Sequence, residues 1–326
     1  MRTENLSDSR GGALGIRIFL ALLRILGVNR TCELVWPVTF FYVCFDRKAR
    51  QAAHRFPEAG PIRLFFHTWA LFTSQGQAIV ERAAMTRNMA SYRFVNRELS
   101  ERLMDRKEGF LILTSHFGAW NAIMGGLHIV RKPVNLLIMP DRNIHVDKTA
   151  ALKGLQVPLH LISTESPMGG LLDVTDAIER GEIVCLMGDR CLEGEGIETE
   201  FLGENALFPS AAFHIASRTG CAILALFAVR EKRHTHFIAE YGPEIHPQWQ
   251  GRDRRKLKKY LDLYVKRLEQ LCMEHPYQCF LFENIWEKPA NRNELHKKRS
   301  ILHRTGSLPD DSRTDRRDRN ATGAVP

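Results

Sequence analysis

After Gly109 six short apolar runs of β type follow one another: 110–114, 134–139, 158–162, 183–187, 222–229 and 236–241, with helical stretches between them. That alternation is the strongest constraint on the fold. It argues for strands buried on both faces and covered by the intervening helices. The expected class is α/β, with a central, mostly parallel sheet flanked by helices. In such sheets the reactive side chains gather beyond the carboxyl ends of the strands.

The chain before the sheet has a different character. Residues 14–26 (LGIRIFLALLRIL) are apolar but interrupted by Arg17 and Arg24, and a second run at 34–45 (LVWPVTFFYVCF) carries Trp36, Pro37 and Tyr42. Neither run supplies the roughly eighteen uncharged apolar residues of a simple span, and no signal-peptide cleavage site is apparent. Two readings stand. The pair is a membrane-associated anchor lying in the interface, with arginines snorkelling, or it is an ordinary pair of core helices. Residues 61–104 show helical spacing at Leu64, Phe65, Thr68, Leu71, Phe72 and Ile79 and read as scaffold. Residues 252–275 form an amphipathic helix with Leu257, Leu261, Tyr264, Leu268 and Leu271 on one face, and its basic face is either solvated or set against anionic lipid. After Pro289 the sequence turns polar (DDSRTDRRDRN) and reads as a disordered tail. The expected organisation is an anchor over 1–47, a catalytic domain over 48–288 and a tail over 289–326.

Charge placement narrows the partners. The net charge of +9 is not spread evenly: 1–60 holds 9 basic and 5 acidic residues, 251–275 holds 8 and 4, 289–326 holds 9 and 5, and 61–250 holds 19 and 21. A nearly neutral body is a poor nucleic-acid groove, so nucleic acid is not an expected partner. Seven cysteines without a C-x-x-C pair fit reduced thiols rather than a disulfide framework or a zinc motif.

Two clusters can carry chemistry. In Thr114-Ser115-His116-Phe117-Gly118-Ala119-Trp120-Asn121 an imidazole follows a strand at once, Gly118 permits a tight turn, and Asn121 lies about one helical turn further on. A side chain there can fix the tautomer of His116 and leave its other nitrogen as a base; the plainer reading is a polar helix cap. The second cluster, Met187-Gly188-Asp189-Arg190, also directly follows a strand and leads into a glycine- and glutamate-rich loop. Arg190 can bind an anion and Asp189 can orient a base, or the two form a local salt bridge. Nucleophile-elbow, Walker and dinucleotide fingerprints are missing. His234 and His236 share one strand face, but no nearby cysteine or carboxylate cluster completes a metal site, and they read as edge-strand residues rather than metal ligands.

Taken in order, these pieces resemble the lysophospholipid acyltransferase superfamily, and within it the lipid A late-acyltransferase family. The resemblance covers roughly residues 12–288 and rests on GIRIFLALLRILG...WPVTFFYVCFDRKAR, TSHFGAWNA, GDR...GEGIETEFLGENALFPSAAFHIASRTGCAILALFAVR and HPYQCFLFENIW. It implies a glycerolipid acyltransferase-like fold with N-terminal membrane-associated helices on the cytoplasmic side of the inner membrane. His116 is then the general base of acyl transfer from acyl carrier protein or acyl-CoA to a lipid or glycolipid acceptor. Arg142 (in MPDRN), Asp189 and Arg190 match substrate-binding positions, while Phe201, Gly203 and Pro209 match the loop that shapes the acceptor or acyl-chain site. No cofactor, metal or covalent acyl-enzyme is implied. One position departs from the pattern: Asn121 stands where the family has an acidic residue. Asn can orient a histidine but cannot neutralise the imidazolium. That leaves two alternatives, a catalytically inactive or repurposed lipid-binding homologue, or a base served by another carboxylate such as Asp189 or Glu200.

Overall fold

The computed structural model describes residues 13–45, 60–85, 91–120, 130–138, 158–191, 196–231, 234–249, 251, 253–280 and 285–286. The segment 289–326, expected to be a disordered tail, lies outside them.

The expected α/β architecture is present. Seven strands, β1 (Ser91–Val95), β2 (Phe110–Thr114), β3 (Val134–Ile138), β4 (Leu159–Ser163), β5 (Ile183–Met187), β8 (Ile223–Arg230) and β9 (His236–Ile245), form one sheet in the order β1-β9-β8-β2-β5-β3-β4. Every neighbouring pair is parallel except β8 with β9. Both faces are buried, and for that reason the central runs are apolar throughout. Along β2, Leu111 and Leu113 face one core while Phe110 and Ile112 face the other, and β5 and β8 alternate in the same sense. The first face is covered by α4 (Leu171–Glu179), α5 (Ala211–Thr219) and α6 (Lys258–Glu274), the second by α3 (Arg97–Asp105). The amphipathic segment behaves as its spacing predicts. Leu257, Leu261, Tyr264, Leu268 and Leu271 are all buried.

Two elements differ from expectation. Within the stretch read as continuous helix, residues 91–95 (SYRFV) add β1 to the sheet edge beside β9, where Tyr92 and Phe94 pack on the second core. Five residues are too few for a period to show, and only pairing with β9 decides their form. The stretch read as a loop after Arg190 includes an antiparallel hairpin of β6 (Gly196–Phe201) and β7 (Glu204–Pro209), whose Ile197, Phe201, Ala206 and Phe208 enter the first core.

The N-terminal runs form α1 (Ala13–Phe45), broken where Gly27 takes φ 75°, ψ 177°. This glycine is the boundary between the two apolar runs. Helix α2 (Pro61–Met85) packs along α1: Thr39 Oγ1 and Thr73 Oγ1 are 2.6 Å apart, Trp69 Nε1 donates to the Trp36 carbonyl at 3.0 Å, and Gln77 Nε2 donates to the Cys32 carbonyl at 3.2 Å. The helices approach so closely that a Cβ on Gly76 would lie 2.7 Å from Val35 Cγ1. The outward face keeps Ile25, Val38, Phe41, Phe45, Ile62 and Phe66 exposed. Among the described residues no helix is long and apolar enough to cross a membrane.

Candidate active site

Strands β2 and β5 lie side by side in parallel, with Thr114 opposite Met187. The chain therefore leaves the sheet at the same level twice. One exit continues as Ser115-His116 and the other as Gly188-Asp189, so two segments more than seventy residues apart meet at the carboxyl edge. Close approach there needs Gly188, because a Cβ at that position would lie 2.8 Å from Leu113 Cδ1 and 3.0 Å from Tyr264 Cζ.

Asp189 is wholly buried and bonds His116 twice. Its Oδ2 accepts from the His116 backbone N–H at 3.0 Å and stands 2.9 Å from Nδ1. Burial alone would push this carboxyl up, but the His116 imidazole, through its charge and hydrogen bonds, and the nearby Arg190 guanidinium outweigh that and hold it below the usual carboxylate range. An ionised carboxylate only accepts, so in the neutral ring Nδ1 carries the proton and the lone pair is left on Nε2. The imidazole retains 19% side-chain exposure and meets the Trp120 ring edge-on at 5.1 Å between centroids. The arrangement can hold a histidine in one tautomer by a buried acid, with Nε2 able to accept a proton.

The turn that presents His116 is gripped from three sides. Tyr264 Oη donates to the Thr114 carbonyl at 2.8 Å, and the Gly188 N–H donates to the same oxygen at 2.7 Å. Gly118 has φ 56°, and a Cβ there would fall 2.0 Å from the Ala228 carbonyl oxygen, which accepts from the Ala119 N–H at 2.7 Å. On the third side the segment after α6 closes over the turn, with Gly118 N–H donating to the Gln278 carbonyl at 2.6 Å and Phe280 N–H to the His116 carbonyl at 2.9 Å. Phe280 also packs with Leu71 and Ala78 of α2 in a small apolar cluster that Trp120 joins. Helix α2 thus reaches the edge of the site.

The other expected site residues are scattered. Arg190 follows Asp189 and its buried Nε has no hydrogen-bond partner. Phe201, expected to shape a substrate site, is instead fully buried and packs on Phe208 at 5.3 Å and on Trp286 at 6.1 Å. Gly203 completes the β6–β7 turn with φ 79°, after Leu202 at φ 52°, which gives it a conformational role. Pro209 ends β7. Glu200 is on the exposed face of β6. Asn121 and Arg142 lie outside the described residues. The family pattern assigns Asp189 to the substrate, with service to His116 as an alternative; the strand register, invisible in the sequence, decides its contact with Nδ1. The two histidines near β9 also need correction. That strand sits between β1 and β8 rather than at an edge, and His234 Nδ1 lies 2.8 Å from Glu81 Oε1, a carboxylate far away in sequence.

The sequence profile of bacterial lipid A biosynthesis acyltransferases matches residues 69–288, more than half of the chain. No curated protein matches the sequence. Among solved structures, that of the 1-acyl-sn-glycerophosphate (LPA) acyltransferase PlsC from Thermotoga maritima is 11% identical, with 74% of this chain and 97% of that chain covered at a TM-score of 0.36.

Proposed function

Because the chain belongs to the family of bacterial lipid A biosynthesis acyltransferases, and so is a lipid acyltransferase, we propose that it moves a fatty acyl group from a carrier thioester to a lipid or glycolipid acceptor with His116 as the general base. The donor is acyl carrier protein or acyl-CoA. The observation that carries this reading is the Asp189 carboxylate 2.9 Å from His116 Nδ1. It offers the imidazole an acid where the Asn121 position has none, which favours the active reading over an inactive homologue.

The steps follow from that geometry. Nε2 takes the proton of an acceptor hydroxyl or amine as the oxygen or nitrogen attacks the thioester carbonyl. Asp189 stabilises the imidazolium while negative charge collects on the tetrahedral oxyanion. Collapse expels the thiolate, which receives the proton from Nε2. Arg190, whose Nε is a buried donor without a partner beside the acid, is suited to hold an anionic part of a substrate. Arg142 is assigned a similar task from its match to the family pattern.

The same reading places the protein on the cytoplasmic face of the inner membrane. What supports it is the outward face of α1 and α2, where Phe41 is 66% and Phe45 75% exposed while most other large apolar side chains among the described residues are buried. Helix α2, which carries part of this outward face, also shares a buried cluster with Trp120 and Phe280 beside the His116 turn. Purified protein given labelled acyl carrier protein or acyl-CoA, with lysophospholipid or lipid A precursor acceptors, is expected to produce acylated lipid. Release of free fatty acid as the sole product, at rates indifferent to acceptor, would contradict the proposal.

A further inference from the structure

Near the start of β9 the sheet meets both N-terminal helices, at a place no local motif marks. Cys32 of α1, Glu81 of α2 and His234 each bring one donor atom within 4.8 Å of the other two. Cys32 and Glu81 are buried, while His234 keeps 20% of its side chain exposed. Glu81 Oε1 accepts from Arg230 Nη1 at 3.0 Å and lies 2.8 Å from His234 Nδ1. Its second oxygen, Oε2, is buried without any hydrogen-bond partner. A carboxylate oxygen left that way is costly and calls for something to meet it.

We propose that Cys32, Glu81 and His234 are a binding site for a zinc-class divalent cation, which pins the α1–α2 pair to the β8–β9 connection. One sulfur, one nitrogen and one carboxylate oxygen are the donors Zn²⁺ takes, with water able to complete a tetrahedron, whereas Mg²⁺ and Ca²⁺ want oxygen throughout. On binding, the Cys32 thiol gives its proton to solvent and coordinates as thiolate. Arg230 remains on the other oxygen of Glu81, as metal-bound carboxylates are commonly held by an outer hydrogen bond. It is fixed there independently by Ser74, whose Oγ accepts from Nη2 at 2.5 Å and whose carbonyl accepts from Nη1 at 3.3 Å. With the ion, thiolate, carboxylate and guanidinium the cluster carries one net positive charge, so the affinity falls below that of the same donors without an arginine. The exposed part of His234 gives the ion a way in.

The site bears on the active turn through the main chain of Arg230. Gln278 grips both its N–H and its carbonyl, at 2.9 and 3.1 Å, and the Gln278 carbonyl accepts from Gly118. Bracing Arg230 therefore braces the end of β8 on which the His116 turn rests.

The test uses the full-length chain, stripped with a chelator and titrated with Co²⁺ or Zn²⁺ alone. About one Co²⁺ per chain should bind, with a thiolate-to-cobalt charge-transfer absorption, and Zn²⁺ should raise the melting temperature. Cys32→Ser should abolish the absorption, and His234→Ala, at a partly exposed position and with its fold checked by a melting curve, should weaken binding by more than about 100-fold, beyond the usual effect of an outer-shell change. Cys44→Ser should leave both readouts as they are. If no saturable uptake is seen, or uptake survives in His234→Ala, the cluster is a Glu–Arg–His hydrogen-bond network and the proposal is wrong.

Discussion

Replacing Asp189 with Asn is nearly isosteric, yet it should strip the base of the charge that supports it. In the native site Oδ2 accepts from both the His116 backbone N–H and Nδ1, at 3.0 and 2.9 Å. An Asn oxygen in the Oδ2 position can still accept from both, so the Nδ1–H tautomer can be kept. Its NH₂ then takes the Oδ1 position, 3.2 Å from Nδ1, where it sets a second donor beside the ring N–H. The carboxylate charge that would stabilise the imidazolium is lost. In a serine protease the same change costs about 10⁴ in turnover. A thioester is more reactive than an amide and depends less on the base, so about 10³–10⁴ is expected here, or roughly 4–5.5 kcal/mol of transition-state stabilisation. The assay is steady-state transfer of labelled acyl groups to lipid acceptor, with a melting curve confirming that the variant folds. The KM for the donor should change little, because Asp189 is wholly buried and behind the imidazole. A folded Asp189→Asn protein retaining more than about a tenth of wild-type turnover would refute the assigned role.

Other consequences can be measured separately. Gly118→Ala places a methyl group 2.0 Å from the Ala228 carbonyl oxygen at φ 56°, so it should cost about 2–4 kcal/mol and lower the melting temperature by roughly 5–15 °C; a shift under about 2 °C would contradict the tight turn. Because the folded pKa of Asp189 is depressed, its contribution to stability is complete above the unfolded value of about 3.9 and is lost as pH falls through the lower folded value. The stability difference between wild type and Asp189→Asn should accordingly be constant near neutrality and narrow below about pH 4, whereas a gap persisting unchanged through pH 3 would count against an ionised acid. Serine at both Phe41 and Phe45 removes two exposed rings, each worth about 1.5–3 kcal/mol when fully buried, so sedimentation with anionic vesicles should weaken by at least about tenfold. Equal partition of variant and wild type would move the lipid-facing surface elsewhere.

Much of this was legible in the sequence because the central strands are buried on both faces. Runs such as FLILT and IVCLM admit little else, and the residues just after them, His116 and Asp189, are where an open α/β sheet concentrates its chemistry. The neighbourhood of β2 and β5 was not legible. Strand order and register are set by tertiary packing, and only they show that Asp189 rather than Glu200 serves the imidazole. Phe201 and Gly203 carried a family signature without revealing its cause. In the structure they are a core residue and a turn, positions that constrain sequence as strongly as substrate contact does. His234 shows the reverse case, since its partners come from two helices about 150 and 200 residues earlier and no spacing rule joins them.

The claim on which everything else rests is that Nε2 of His116 takes the acceptor's proton. Acyl transfer by His116→Ala, measured with the same donor and lipid acceptor as wild type, tests it most directly. A properly folded variant is predicted to lose turnover by about 10²–10⁴. Turnover within a few-fold of wild type would contradict the account.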